Sequence, residues 1–247
     1  MQPHSGSLVW RWRGLKMVGV QNRPALAAGR RAPGVLFLHG FPGSEKNVDV
    51  QRALLARGVA SFAPYFAGSW GSGGTYRFST LLSQAEAALK ELATLEYVDP
   101  KRLAVFGFSM GGWTALNLGG RIASLKAVAV VAPVGGPEMV GPEMKRTLAR
   151  MSGPLRVPPL PAMARDFAES VRRDDPAAAV GRRGCPILIV HGTKDDVVPF
   201  AVSRRLLAAA GARARLVAAR GATHAFLDRR PWLTRQASTW LADRLLS

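Results

Sequence analysis

Short, almost purely apolar runs alternate along this chain with longer stretches in which apolar positions recur every three or four residues. Residues 35–38, 103–106 and 187–190 are apolar throughout, and 59–63, 125–132 and 214–218 nearly so. Runs of that length without a polar alternate suit strands buried on both faces, as in a parallel sheet covered by helices. Between them lie helical patterns. Residues 48–57 carry Leu54 and Leu55 on one side and stop at Gly58. Residues 81–97 place Leu81, Ala85, Ala88, Leu89, Leu92 and Leu95 on one face before Asp99-Pro100 breaks the pattern. Further helices are predicted over 109–118, 201–210 and 232–246. Strands alternating with helices predict one α/β domain over residues 1–247 with a mainly parallel sheet. Ahead of it, residues 8–12 and 15–20 read as two more strands, with His4 in an unstructured start.

Two segments break the rhythm. Residues 66–75 form a Gly- and Ser-rich loop too long for a simple turn. Residues 135–184 hold seven prolines and four methionines. That is longer than an ordinary connection, which predicts an insertion packing over something. Flexible, polarizable methionines suit an adaptable apolar roof over an acyl or aryl group. Trp70, Phe41 and Trp113 are candidate pocket walls, although a tryptophan on a helix, such as Trp113, is more often core.

Charge changes the picture only slightly. Lys+Arg is 34 against 16 Asp+Glu, a formal net charge of +18, and 27 of the 34 are arginine. The basic residues come in ones and twos rather than one run, so a compositional bias of the source explains them better than a specific nucleic-acid site. The charge predicts adhesion to polyanions in low salt. A single cysteine, Cys185, excludes an intrachain disulfide and a cysteine-based zinc site. No run is long and apolar enough to span a bilayer. The first residues lack an apolar signal core, because Trp10, Arg11, Trp12 and Arg13 interrupt it. A cytoplasmic location is therefore expected.

The sharpest chemical signal is Gly107-Phe108-Ser109-Met110-Gly111, lying between a predicted strand and a predicted helix. A tight strand-to-helix turn lifts a serine hydroxyl above the sheet edge, and its glycines are needed where a Cβ would clash. A serine hydroxyl needs a base to take its proton. Of the four histidines, His39 and His191 end apolar strands and read as buried, hydrogen-bonded residues. His224 lies in a loop after a late strand, at the sheet edge where ligands of open α/β sheets bind. It is the candidate general base. Asp195 and Asp196, just after the strand at 187–190, are both placed to orient it.

The order Ser109, Asp195, His224, with His39-Gly40-Phe41-Pro42-Gly43-Ser44, Val98-Asp99-Pro100-Lys101-Arg102 and His191-Gly192…Asp195…Val198-Pro199, resembles the α/β-hydrolase superfamily from Val35 onward. Within it the pattern is similar to the dienelactone-hydrolase-like esterases and the prolyl-oligopeptidase-like serine hydrolases. The resemblance implies an α/β-hydrolase fold with residues 135–184 as a lid, and a serine nucleophile at Ser109. It selects Asp195, the first aspartate after His-Gly-x-x, as the acid. It also implies an oxyanion hole from the backbone N–H groups of Phe41 and Met110. Dienelactone hydrolases proper use cysteine where this chain has Ser109, so the lactone reaction is not implied.

The expected activity is hydrolysis of a small carboxylic ester through an acyl-enzyme, with no cofactor and no metal. The oligomeric state is left open. The alternatives are a peptidase of the prolyl-oligopeptidase-like branch and, from another class, a polyanion-binding protein on a hydrolase scaffold.

Overall fold

The protein was analysed as a computed structural model, which describes residues 1–182 and 184–247. Eight strands form a single sheet in the order β1-β2-β4-β3-β5-β6-β7-β8. Strands β1 (His4–Trp12) and β2 (Leu15–Arg23) form an antiparallel hairpin, and β2 runs antiparallel to β4 (Ala60–Pro64). From β4 onward every neighbouring pair is parallel: β3 (Ala32–Leu38), β5 (Val98–Phe108), β6 (Ala127–Val131), β7 (Ile187–Gly192) and β8 (Ala214–Ala219).

Side-chain alternation in these strands builds two cores. Leu36, Leu38, Val105, Val128, Val130 and Ile189 face one side, with α2 (Leu81–Thr94), α3 (Met110–Gly119) and α7 (Phe200–Ala210). Val35, Phe37, Ala104, Phe106, Ala129 and Val190 face the other, with α1 (Val48–Leu55) and α8 (Arg230–Leu246). Both faces are covered, which is why the strand sequences show no polar alternate.

Several boundaries differ from the sequence expectation, each for a physical reason. The helix read over 81–97 ends at Thr94, and Leu95 is extended. Asp99-Pro100 does not end the element before the nucleophile strand but lies within β5, at its solvent-exposed start, where the missing proline N–H is harmless. His4 is not in an unstructured start; it opens β1 opposite Arg23. The segment 135–184 is substantially helical, with α4 (Met144–Met151), α5 (Leu160–Arg173) and α6 (Pro176–Gly181) separated by its prolines.

That segment is tied to the body at both ends. Arg205 of α7 pairs with Glu138 at 2.9 Å and Asp175 at 2.8 Å. Arg156 exchanges backbone hydrogen bonds with Gly68 and Tyr76, and Asp166 accepts from the Phe78 N–H at 2.6 Å. Insertion and Gly-rich loop therefore fold against each other.

His39, at the end of β3, is buried, as expected. Its Nδ1 lies 2.7 Å from the Gly40 carbonyl, and its Nε2 accepts the Phe66 N–H at 3.1 Å. This fixes the neutral Nδ1–H tautomer. Burial pushes the imidazole from 6.5 down to about 4; the Gly40 hydrogen bond opposes that and nearby Lys46 adds to it. The unfolded chain therefore takes up a proton between those pH values that the folded chain refuses. Stability should fall as the pH drops from 6.5 to 4, by about 3 kcal/mol from this group. Urea-unfolding free energies across that range test it: the fall should be shallower in His39→Asn, and equal slopes in the two proteins would contradict it.

Candidate active site

The C-terminal ends of β3, β5, β7 and β8 converge on one edge of the sheet. After β5, Ser109 is forced into φ 54°, ψ −116°, a conformation that non-glycine residues rarely adopt. The neighbouring glycines show why the chain accepts it. A Cβ on Gly107 would lie 2.2 Å from the Gly111 carbonyl oxygen, and one on Gly111 would lie 2.0 Å from the Leu38 carbonyl oxygen. The turn is clamped further by the Ser109 N–H donating to Val131 at 2.9 Å and by the Val134 N–H donating to the Ser109 carbonyl at 3.1 Å.

Across the edge, His224 Nε2 lies 3.0 Å from Ser109 Oγ, and His224 Nδ1 lies 2.8 Å from Asp195 Oδ2. The Asp195 side chain is fully buried. Its Oδ1 accepts the Val197 and Val198 N–H groups at 2.9 and 2.8 Å. Burial alone would raise its carboxyl. The hydrogen bonds from His191 and His224, the His224 charge and the Val198 N–H outweigh it and hold the group below the usual carboxylate range. Asp196, the other candidate acid, is exposed.

Met110 is the first residue of α3, so its N–H points out of the helix's start, where the dipole favours negative charge. Among the described residues neither this N–H nor that of Phe41 donates to a protein acceptor. Both residues, with Ser109, line one cavity of about 330 Å³. Phe78 and Phe167 form an aromatic wall with Phe41, with ring centroids 5.0 to 5.3 Å apart. Met139, Met144, Leu148 and Met151, which like Phe167 belong to the insertion, also line it.

Trp70 lies outside this cavity lining. Its Nε1 donates to the Pro42 carbonyl at 3.1 Å, and its ring carries the Lys46 ammonium at 4.4 Å. Its contacts brace the loop after β3. Trp113 is in the core, as a tryptophan on a helix more often is. The sequence reading missed Phe78 and Phe167, which belong to separate elements and show no common spacing. It also missed that His191 reaches Asp195, with Nε2 and Oδ2 3.1 Å apart. Among the described residues no three His, Cys, Asp or Glu side chains converge as metal ligands, and no helix is long and apolar enough to cross a membrane.

A mostly parallel sheet bearing a strained serine at a strand-to-helix turn is the architecture of the α/β hydrolases. The chain belongs to the alpha/beta hydrolase family, whose model matches residues 35–235. It is 29% identical over 200 residues to an uncharacterized protein of Mycobacterium tuberculosis, a match covering 80% of this chain and 64% of that one. The match thus spans less than two thirds of that relative's length. It is 28% identical over 189 residues to the esterase YjfP of Escherichia coli, covering 70% and 73% of the two chains. Among solved structures, Est1E from Butyrivibrio proteoclasticus with bound ferulic acid superposes with a TM-score of 0.78 at 22% identity, covering 97% of this chain and 100% of that one. A puromycin-hydrolyzing peptidase of Mycobacterium tuberculosis gives 0.74 at 21% identity, covering 99% of this chain and 39% of that one. These two share the fold.

The glycine clamp has a measurable consequence. Gly111→Ala forces a backbone shift at Leu38 as well as at the turn. We expect a loss of about 3 kcal/mol or more in unfolding free energy, at the upper end for overpacking, together with a fall in Ser109 reactivity. A variant as stable as the parent would contradict the clamp.

Proposed function

We propose that this protein is a serine hydrolase that cleaves carboxylic esters through an acyl-enzyme intermediate, with Ser109 as nucleophile, His224 as base and Asp195 as the group that orients it. The observation that carries this reading is the unbroken chain Ser109 Oγ–His224–Asp195, with 3.0 and 2.8 Å links, opening onto an apolar cavity. The likeness to an esterase of Escherichia coli points the same way.

In this reading Ser109 Oγ attacks the acyl carbonyl while His224 Nε2 takes its proton. Asp195 Oδ2 holds the Nδ1–H and stabilises the imidazolium. The carbonyl oxygen becomes an oxyanion and accepts the free N–H groups of Phe41 and Met110, each such donor contributing about 3–4 kcal/mol in the transition state. The tetrahedral species collapses, the C–O bond to the leaving alcohol breaks, and His224 returns its proton to that alcohol. A water then attacks the acyl-enzyme, deprotonated by His224, and a second collapse frees the acid and regenerates the Ser109 hydroxyl. The cycle is complete with these side chains and two backbone donors.

A fluorophosphonate should label Ser109, and the protein should hydrolyse p-nitrophenyl acetate but not aminoacyl anilides. Ser109→Ala and His224→Ala should each lower kcat about 10⁴-fold or more. Asp195→Asn should cost about 10³- to 10⁴-fold by presenting the wrong hydrogen-bond partner to His224, whereas Asp196→Asn should stay within about twofold. An unlabelled serine, or the two aspartates in the reverse order, would sink the assignment. Retention on heparin at physiological salt without labelling would favour a polyanion binder instead.

A further inference from the structure

The cavity beside Ser109 has a composition at odds with the rest of the molecule. The chain carries 34 lysines and arginines, yet among the described residues none lines this cavity. Its charged lining residues are Glu138 and Glu143, each already paired with an arginine outside the lining: Glu138 with Arg205, Glu143 with Arg146. The remaining walls are chiefly aromatic, methionine and aliphatic.

Helix α4 adds a second observation. Met144, Thr147, Leu148 and Met151 follow helical spacing on its cavity side, while Lys145, Arg146 and Arg150 are exposed. Only Leu148 of this helix is fully buried; Met144 and Met151 remain half-buried over the cavity. An apolar stripe left partly uncovered on an anchored segment gains stability when an apolar occupant fills the space, at about 0.8 kcal/mol for each methylene removed from water.

We infer that this cavity is an acyl subsite for uncharged apolar acyl groups, about six carbons long or a single aryl ring, and that it rejects acyl chains ending in a carboxylate. The inference rests on the ester-hydrolase reading for its chemistry. The size follows from the volume: about 330 Å³ is roughly twice the apolar cavity of about 150 Å³ that accepts benzene, which leaves room for one group of that size beside the ester itself. The selectivity follows from desolvation: among the described residues no cation lines the cavity, and its two free backbone N–H groups, of Phe41 and Met110, are taken by the reacting carbonyl, so a carboxylate at the far end of the acyl chain finds no cation to replace its water.

The test compares p-nitrophenyl acetate, p-nitrophenyl hexanoate and the mono-p-nitrophenyl ester of adipic acid. Expected is a kcat/KM at least about tenfold higher for hexanoate than for acetate, with the adipate ester no better than acetate. Thr147→Arg places a cation in the wall and should raise kcat/KM for the adipate ester relative to that for hexanoate. A binding arm uses Ser109→Ala protein with labelled methionine methyls. Methyl hexanoate should shift the Met139, Met144 and Met151 signals and monomethyl adipate should not. That arm reads the cavity whether or not the chain turns over esters, so an inactive wild type with selective binding counts against the hydrolase reading alone. Equal response to the neutral and anionic probes, in rate or in binding, would overturn the subsite.

An independent observation assigns a role to His191. Its side chain is completely buried, with Nδ1 2.6 Å from Ser203 Oγ and Nε2 3.0 Å from the Val198 carbonyl and 3.1 Å from Asp195 Oδ2. Two acceptors at Nε2 require the proton there, so the Ser203 hydroxyl donates to Nδ1. The geometry makes His191 a positioning residue: it donates to the same carboxylate oxygen that holds His224 and fixes its direction. With p-nitrophenyl acetate, His191→Gln should lower kcat about tenfold with KM unchanged, and should have no further effect in an Asp195→Asn background. Ser203→Ala, a milder change, should act in the same direction, and should shift the proton resonance between His224 and Asp195. That signal can be read without turnover. Equal losses in the two backgrounds, or an unmoved resonance, would refute the role.

Discussion

The site depends on one packing constraint: the start of α3 lies so close to the ends of β5 and β3 that neither Gly107, against Gly111, nor Gly111, against Leu38, has room for a side chain. That approach leaves the intervening residue a positive φ, and a positive φ lifts the Ser109 hydroxyl off the sheet toward the loops above. A relaxed turn would return the hydroxyl to the helix start, 115 residues in sequence from the imidazole it meets. The strain is maintained by two-sided burial of the sheet, because β5 sits at its centre with packed helices on both faces.

From that point the geometry of a parallel sheet does the rest. Neighbouring strands running the same way end at the same edge, so residues following β3, β5, β7 and β8 share one rim although the sequence scatters them from Phe41 to His224. The carboxylate of Asp195 is the most enclosed member, and its oxygens meet four N–H donors. Such a group costs much to bury and little to keep charged once every lone pair is matched. It therefore supplies a fixed negative charge at a place water does not reach.

Most of this frame was legible in the sequence, because it rests on local signals. Uninterrupted apolar runs gave the buried strands, the spacing of Leu81, Ala85, Ala88, Leu89 and Leu92 gave α2, and the glycines around Ser109 marked a turn that only a strand and a helix could flank. The base was found by elimination among four histidines, and the acid and the two backbone donors through family resemblance. What escaped is tertiary. Nothing local reveals that Phe41, Phe78 and Phe167 share a wall, or that Arg156 knits the insertion to the loop at Gly68. The proline-rich insertion hid its helices because helix-breaking residues at their boundaries resemble loop residues in their interior. Trp70 misled for the opposite reason: a large aromatic in a loop near the site suggested a wall, whereas its indole N–H is spent on Pro42.

The anchoring of the insertion has a mechanical corollary. Its early part is fastened by Glu138 to Arg205, and its middle by Arg156 and Asp166 to the Gly-rich loop and the turn after it. Helix α4, eight residues long, is the stretch left between those fixings. A bulky guest cannot be admitted by swinging the whole segment aside without breaking several contacts at once. Any rearrangement that spares those fixings is confined to the stretch around α4, where Met144 and Met151 are half-buried and Leu148 alone is in the core.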